Sequence, residues 1–122
     1  MNENKEYVSR CDELGNIHIS EEVLSAIAAA AAMEVKGVSG LAAHFGDWLG
    51  KKYQTKGVHI KMDESKVEVE VSILMAYGST IPEVGKNVQE NVKAAMESMT
   101  GLEITSVNVS VAGVEFPPKQ QD

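Results

Sequence analysis

Residues 78–116, GSTIPEVGKNVQENVKAAMESMTGLEITSVNVSVAGVEF, read as one helix followed by one strand, because every local signal in them agrees. Thr80-Ile81-Pro82-Glu83 has the form of a capping box, with a Thr80 hydroxyl for a first-turn amide and Glu83 reaching back to the cap. Pro82 suits a first turn, where a backbone donor has no intrahelical use. Apolar residues recur at Ile81, Val84, Val88, Val92, Ala95, Met96 and Met99, one face of a helix, while Lys86, Glu90, Lys93 and Glu97 fall on the other. Gly101 is placed to end the helix, since a residue without Cβ takes the left-handed conformation at least cost. Val107, Val109 and Val111 then alternate with Ser106, Asn108 and Ser110, the period of a strand buried on one side. Leu102 and Ile104 have the opposite parity, which predicts a bulge near Thr105 or Ser106.

Upstream, Val58, Ile60 and Met62 alternate with His59, Lys61 and Asp63, and the pattern resumes after Glu64-Ser65 as Val67, Val69, Val71 and Ile73. This is a hairpin signature. A turn on Glu64-Ser65 sets Lys61 opposite Glu68 and His59 opposite Glu70, with Met62, Ile60 and Val58 opposite Val67, Val69 and Val71. Opposite charges then share one face and apolar pairs the other, which fixes the register. The strand, helix, strand unit from Val67 to Val111 predicts a right-handed crossover between parallel strands.

Nearer the N-terminus, Ile17 and Ile19 flank His18 in a short strand. Ser20 caps a helix whose first turn holds Glu21 and Glu22, at the positive end of its dipole. Val23, Leu24, Ile27, Ala31 and Val35 form its expected buried stripe, and Gly37 ends it. Between residues 38 and 56, Leu41, Phe45, Trp48, Leu49 and Tyr53 keep helical spacing. Gly46 and Gly50 interrupt it at about 1 kcal/mol each, so a short or broken helix is expected.

The sum is an α+β domain in the order strand, helix, broken helix, strand, strand, helix, strand. Its helices are expected on one face of a mixed four-stranded sheet, leaving a polar face of His59, Lys61, Glu68, Glu70, Ser72, Asn108 and Ser110. Residues 1–14 are expected as a flexible tail, 15–116 as one domain, and 117–122 as a frayed end.

Several of these pieces together resemble the alkaline shock protein, or envelope stress response, family of Gram-positive bacteria. They are Gly15-Asn16-Ile17-His18-Ile19-Ser20, Gly37-Val38, Tyr77-Gly78, Ile81-Pro82-Glu83-Val84, Asn87-Val88-Gln89, Val107-Asn108-Val109 and Gly113-Val114. The resemblance covers residues 15–116 and brings no catalytic residues with it. It implies a non-enzymatic protein of the bacterial cytosol tied to envelope stress or homeostasis. Such a protein acts through self-association and through contact with membrane-linked or metabolic protein partners.

Composition agrees with a single globular domain: 122 residues, 43% hydrophobic and 24% charged. One cysteine, Cys11, cannot form an internal disulfide, which points to a reducing compartment. The N-terminal residues lack the apolar core of a signal peptide, and the longest apolar run, 26–33, falls well short of the roughly 20 residues that span a bilayer. Membrane association is therefore expected only through a partner or a surface contact.

The net charge of −7 argues against nucleic acid, whose phosphates must be met by clustered Lys and Arg. Locally the balance reverses: from Lys36 to Lys61 five lysines face Asp47 alone, giving +4. Trp48, Lys51, Lys52 and Lys56 are the candidate partner-binding residues, combining charge, an aromatic anchor and a glycine-interrupted backbone. The alternative is a KH-like nucleic-acid module in which Gly37-Val38-Ser39-Gly40 serves as the backbone-clamping G-x-x-G loop, helped by nearby lysines. His18, His44 and His59 lie in separate elements without ligand spacing, so neither a metal nor a cofactor site is expected.

Overall fold

The computed structural model describes residues 7–42, 57–64 and 66–117. Six strands and two helices follow in the order β1 (Tyr7–Asp12), β2 (Gly15–Ser20), α1 (Glu21–Met33), β3 (Val38–Leu41), β4 (Val58–Asp63), β5 (Lys66–Ala76), α2 (Ile81–Thr100) and β6 (Glu103–Glu115). The α+β class holds, with both helices packed against a mixed four-stranded sheet.

β5 is the sheet's centre. Along one side it pairs with β6 in parallel, and along the other with β4 and then β3, both antiparallel. The β4–β5 register is the expected one, pairing Lys61 with Glu68, His59 with Glu70, and Val58 with Val71. In β6 the pairing moves from Ile104 to Ser106 against consecutive residues of β5, so Thr105 is the bulged residue. A second shift, between Val111 and Gly113, leaves Ala112 as another extra residue.

The strand membership differs from the sequence reading. Gly15–Ser20 does not join the main sheet but pairs antiparallel with Tyr7–Asp12 as a separate hairpin. The fourth strand of the main sheet is Val38–Leu41, at the start of the stretch read as a broken helix. Residues 43–56 lie outside the described residues.

Tyr7–Asp12 also corrects the expected tail over 1–14. Val8 is buried in the core, and the Arg10 Nη1 donates to the Gly101 carbonyl at 3.2 Å. That carbonyl stands at the negative end of α2, whose own last turn carries no basic residue, so Arg10 supplies the missing cation from a distant strand. Gly101 has φ +74, and a side chain there would run into the Arg10 guanidinium.

The core lies between helices and sheet. α1 contributes Leu24, Ala28, Ala31 and Ala32, and α2 contributes Val84, Val88, Val92 and Met96. Val58, Val67, Val69, Val71, Ile73, Met75 and Ile104 rise from the sheet to meet them. Val23, expected in the buried stripe of α1, is instead 48% exposed, and Ile81 and Met99 at the ends of α2 are exposed at 53% and 69%. The alanine face lets the helices approach closely: Asn91 Nδ2 reaches the Ala31 carbonyl at 2.7 Å. Ser20 caps α1 as expected, accepting from the Val23 amide. Thr80 makes no side-chain bond at the start of α2, so the capping box does not form there.

Candidate interaction surface

The geometry of α2 decides which part of β6 is open. Its buried column is Val84, Val88, Val92, Met96 and Thr100. The column one residue further on, at the same four-residue spacing, is Gly85, Gln89, Lys93 and Glu97. Three of these four reach the outer edge of β6. Gln89 Nε2 donates to the Val107 carbonyl at 3.0 Å, and Lys93 Nζ donates to the Ile104 carbonyl at 2.9 Å. The Ile104 amide donates to Glu97 Oε2 at 3.2 Å. Lys93 and Glu97 also pair at 3.1 Å. The Lys93 hydrogen bond, then the Ile104 amide, hold the Glu97 carboxyl below the ordinary glutamate range, against a smaller opposing effect of burial.

The fourth member is Gly85, and nothing stands within 4 Å of the place its Cβ would take. Because the contacts run antiparallel, 97 and 93 to 104 and 89 to 107, the column of side chains that bonds β6 ends at Gln89, opposite Val107. Successive residues of a strand send their backbone groups to alternate sides. Val107 directs its carbonyl outward to Gln89, so Val109 and Val111 also point outward. The Glu115 carbonyl accepts from the Tyr77 amide on the inner side, which makes Val114 outward-facing after the second bulge. Among the described residues β6 pairs only with β5, so this half of its edge has no strand partner.

Apolar exposure grows in the same direction. Val107 is buried, Val109 and Val111 are half-buried, and Val114 is 44% exposed. The run ends at Phe116, which stacks on Tyr77 with ring centroids 4.7 Å apart. Both rings are about two-thirds exposed. Open edges are commonly blunted by Lys, Pro or bulges. Residues 109–114 contain neither charge nor proline, and Ala112 is their one irregularity.

The sequence-derived candidates Trp48, Lys51, Lys52 and Lys56 lie outside the described residues. Their flanks are placed: the Ala42 amide donates to the Ser72 carbonyl at 2.9 Å, and the Ser72 amide donates to the Gly57 carbonyl at 2.8 Å. Ala42 and Gly57, the described residues on either side, are thus both bound to one residue of β5. Gly37–Gly40 does not form an open loop. Gly37 has φ +101 and wedges against Val84 and Ser79, while residues 38–41 are strand β3 and Ser39 Oγ donates to the Leu74 carbonyl.

Other polar features are modest. A groove of about 430 Å³ between the end of α1 and the first half of α2 is lined by Glu34, Val35, Lys36, Asn87, Glu90 and Asn91. On the outer sheet face Lys61 pairs diagonally with Glu70 at 3.4 Å, and Asn108 donates to Glu68 at 3.1 Å. Ser72, expected on that open face, is buried. Among the described residues no three His, Cys, Asp or Glu side chains gather as a metal site, and no helix is long and apolar enough to cross a membrane.

Comparison with known proteins fits this architecture. Residues 9–116 match the alkaline shock protein 23 family, described by a cell envelope-related function. The uncharacterized protein YqhY of Bacillus subtilis is 33% identical over 113 residues, 89% of this chain and 84% of that protein. The uncharacterized protein Spy1614 of Streptococcus pyogenes is 36% identical over 107 residues, 83% of this chain and 88% of that one. Among solved structures, a variant of MamM CTD superposes with a TM-score of 0.50 at 20% identity, covering 77% of this chain and 95% of that chain. This last likeness concerns the fold alone. With a family match over most of its length and two relatives above 30% identity, the chain belongs to the alkaline shock protein 23 family of envelope-related proteins.

Proposed function

We propose that this chain is a non-enzymatic protein-interaction scaffold of the cytoplasm that serves envelope stress or homeostasis, reaching the membrane through protein partners. The envelope connection follows its family. The interaction role is carried by one observation: the upper half of β6 combines an edge without a strand partner among the described residues with an apolar end at Val114, Phe116 and Tyr77. Exposed apolar area of this kind beside free backbone donors and acceptors is what strand-adding partners recognise. The lysine and aromatic residues Trp48, Lys51, Lys52 and Lys56 are proposed as a second contact region on the grounds of their sequence alone.

Photo-crosslinking from position 116 in living cells, followed by separation of membrane and soluble fractions, tests the role. Saturable adducts with defined proteins are expected, reduced by Tyr77→Ser. Adducts no more numerous than those of an unrelated acidic protein of equal size would refute it. In parallel, Lys51→Glu with Lys52→Glu tests the basic segment: an unchanged partner set removes it from the proposal.

A further inference from the structure

We propose that the exposed face of α1 receives a helix from a protein partner, an amphipathic segment with an apolar stripe and a Lys or Arg at each end. The inference rests on the interaction reading above and adds a surface separate from the β6 edge, since α1 packs on α2, β3, β4 and β5. Residues 23–33 carry no charge at all. Leu24, Ala28, Ala31 and Ala32 turn inward, which leaves Val23, Ala26, Ala30 and Met33 as the outward stripe. Val23 and Met33 are 48% and 46% exposed. A surface helix ordinarily sets charged and polar residues on its outer face. Helix propensity accounts for alanine at 26 and 30, but not for Val23, whose branched side chain is a poorer helix former. With alanines at its middle and larger apolar side chains at its ends, the stripe lets a second helix approach closely.

Charge decides the occupant. The stripe is closed at each end by an exposed carboxylate, Glu22 and Glu34, which at 1.5 Å per residue stand about 18 Å apart along the axis. Glu22 suits its own helix, being at the positive end of the dipole. Glu34 does not: it is the C-cap residue, at the negative end, and the last turn of α1 holds no basic residue. Arg10 brings such a cation to α2, whereas Glu34 receives the neutral Asn91 amide at 3.4 Å. The groove of about 430 Å³ beside Glu34 also holds Glu90 and Lys36, two carboxylates against one ammonium, with room for a long cationic side chain. A partner Lys or Arg placed there meets a carboxylate and the negative helix end together. A second α1 does not fit, because antiparallel docking sets Glu22 against Glu34 at both ends and parallel docking sets each against itself. An anionic lipid surface meets the same two carboxylates and the net charge of −7.

Fluorescence anisotropy of the full chain with a labelled helical peptide of about 18 residues tests the proposal. The peptide carries Leu and Ala along one face and Arg at two positions about 12 apart, and its control carries Glu in place of both Arg. The Arg-ended peptide should bind saturably, and more weakly at 500 than at 50 mM NaCl. Ala26→Gln with Ala30→Gln suits a helix and should leave the melting temperature unchanged while weakening binding at least tenfold. Glu34→Gln should weaken it about threefold, and Glu22→Lys with Glu34→Lys should transfer the preference to the Glu-ended peptide. No saturation at about 1 mM chain overturns the proposal. So does equal binding of the two peptides, or binding unmoved by the substitutions at 26 and 30. Pelleting with phosphatidylglycerol vesicles, or a dimer in sedimentation equilibrium, that the same double variant abolishes would overturn it in favour of a lipid surface or a second copy. Saturable adducts from position 116 without peptide binding would overturn the α1 inference and leave the interaction role standing. Absence of both would overturn both.

Discussion

Gly37 and Gly78 form a natural pair for separating backbone strain from packing, because they share one φ, +101 and +100, and differ in what lies next to them. A Cβ on Gly37 would stand 2.7 Å from Val84 Cγ2 and 3.0 Å from Ser79 Oγ, whereas a Cβ on Gly78 meets nothing within 4 Å. Each substitution by alanine costs the strain of a positive φ, on the order of 1–2 kcal/mol. Gly37→Ala adds overpacking, typically 1–3 kcal/mol in a well-filled core. Val84 has no easy escape: it is 4% exposed, and its amide is bound to the Thr80 carbonyl in the first turn of α2. Gly78→Ala is thus expected to cost about 1.5 kcal/mol and Gly37→Ala about 3 kcal/mol. With a urea dependence of about 1.5 kcal/mol per M, the unfolding midpoint falls by about 1 M and about 2 M respectively. Equilibrium urea unfolding followed by far-UV circular dichroism reads both. Equal losses, or a larger loss at Gly78, would refute the wedge of Gly37 against α2.

Three further outcomes follow from individual contacts. Ser25 Oγ is fully buried with no hydrogen-bond partner among the described residues, so Ser25→Ala should stabilise the chain by about 1 kcal/mol, raising the melting temperature by a few degrees. Arg10→Ala removes the cation at the end of α2; because that bond is exposed, a loss of about 0.5–1 kcal/mol is expected, with faster amide exchange at Val8. Glu97 has a depressed folded-state pKa, so its contribution is present above the unfolded glutamate value and fades as pH falls through the folded one. Glu97→Gln should therefore flatten the acid side of the stability–pH curve, and an unchanged slope would detach the carboxylate from Lys93 and Ile104.

The elements legible in the sequence are those in which a short-range period coincides with a long-range contact. In the β4–β5 hairpin, alternation and charge pairing define one register, and that register forms. In β6 the parity break between Ile104 and Val107 implies a bulge near Thr105 or Ser106, and the structure puts it at Thr105. What escaped depends on partners distant in the chain. Ile17 and Ile19 announce a strand but not its neighbour, and β2 pairs with a segment whose only buried side chain among the described ones is Val8. Val38–Leu41 is four residues long and includes Ser39 and Gly40, too short and too polar for any period to emerge. It becomes a strand because β5 outlasts β4 and offers Ile73 to Met75 as a free edge. The Thr80 box fails although the cap backbone is extended, as N-caps are: the motif names a possible side-chain bond, and that bond is not made.

The same limit explains why the open surface was not legible. Gly85 stands out in the sequence only as a weak point in an otherwise strong helix, and periodicity treats it as tolerated noise. The bulge at Thr105 sets Ile104 and Val107 within reach of α2, and the column of side chains that bonds β6 stops at Gln89, one turn after that glycine. A chain selected for stability alone would gain helix propensity from glutamine at 85, where a Cβ meets nothing within 4 Å. That gain is not taken, so neither packing nor helix propensity accounts for the glycine.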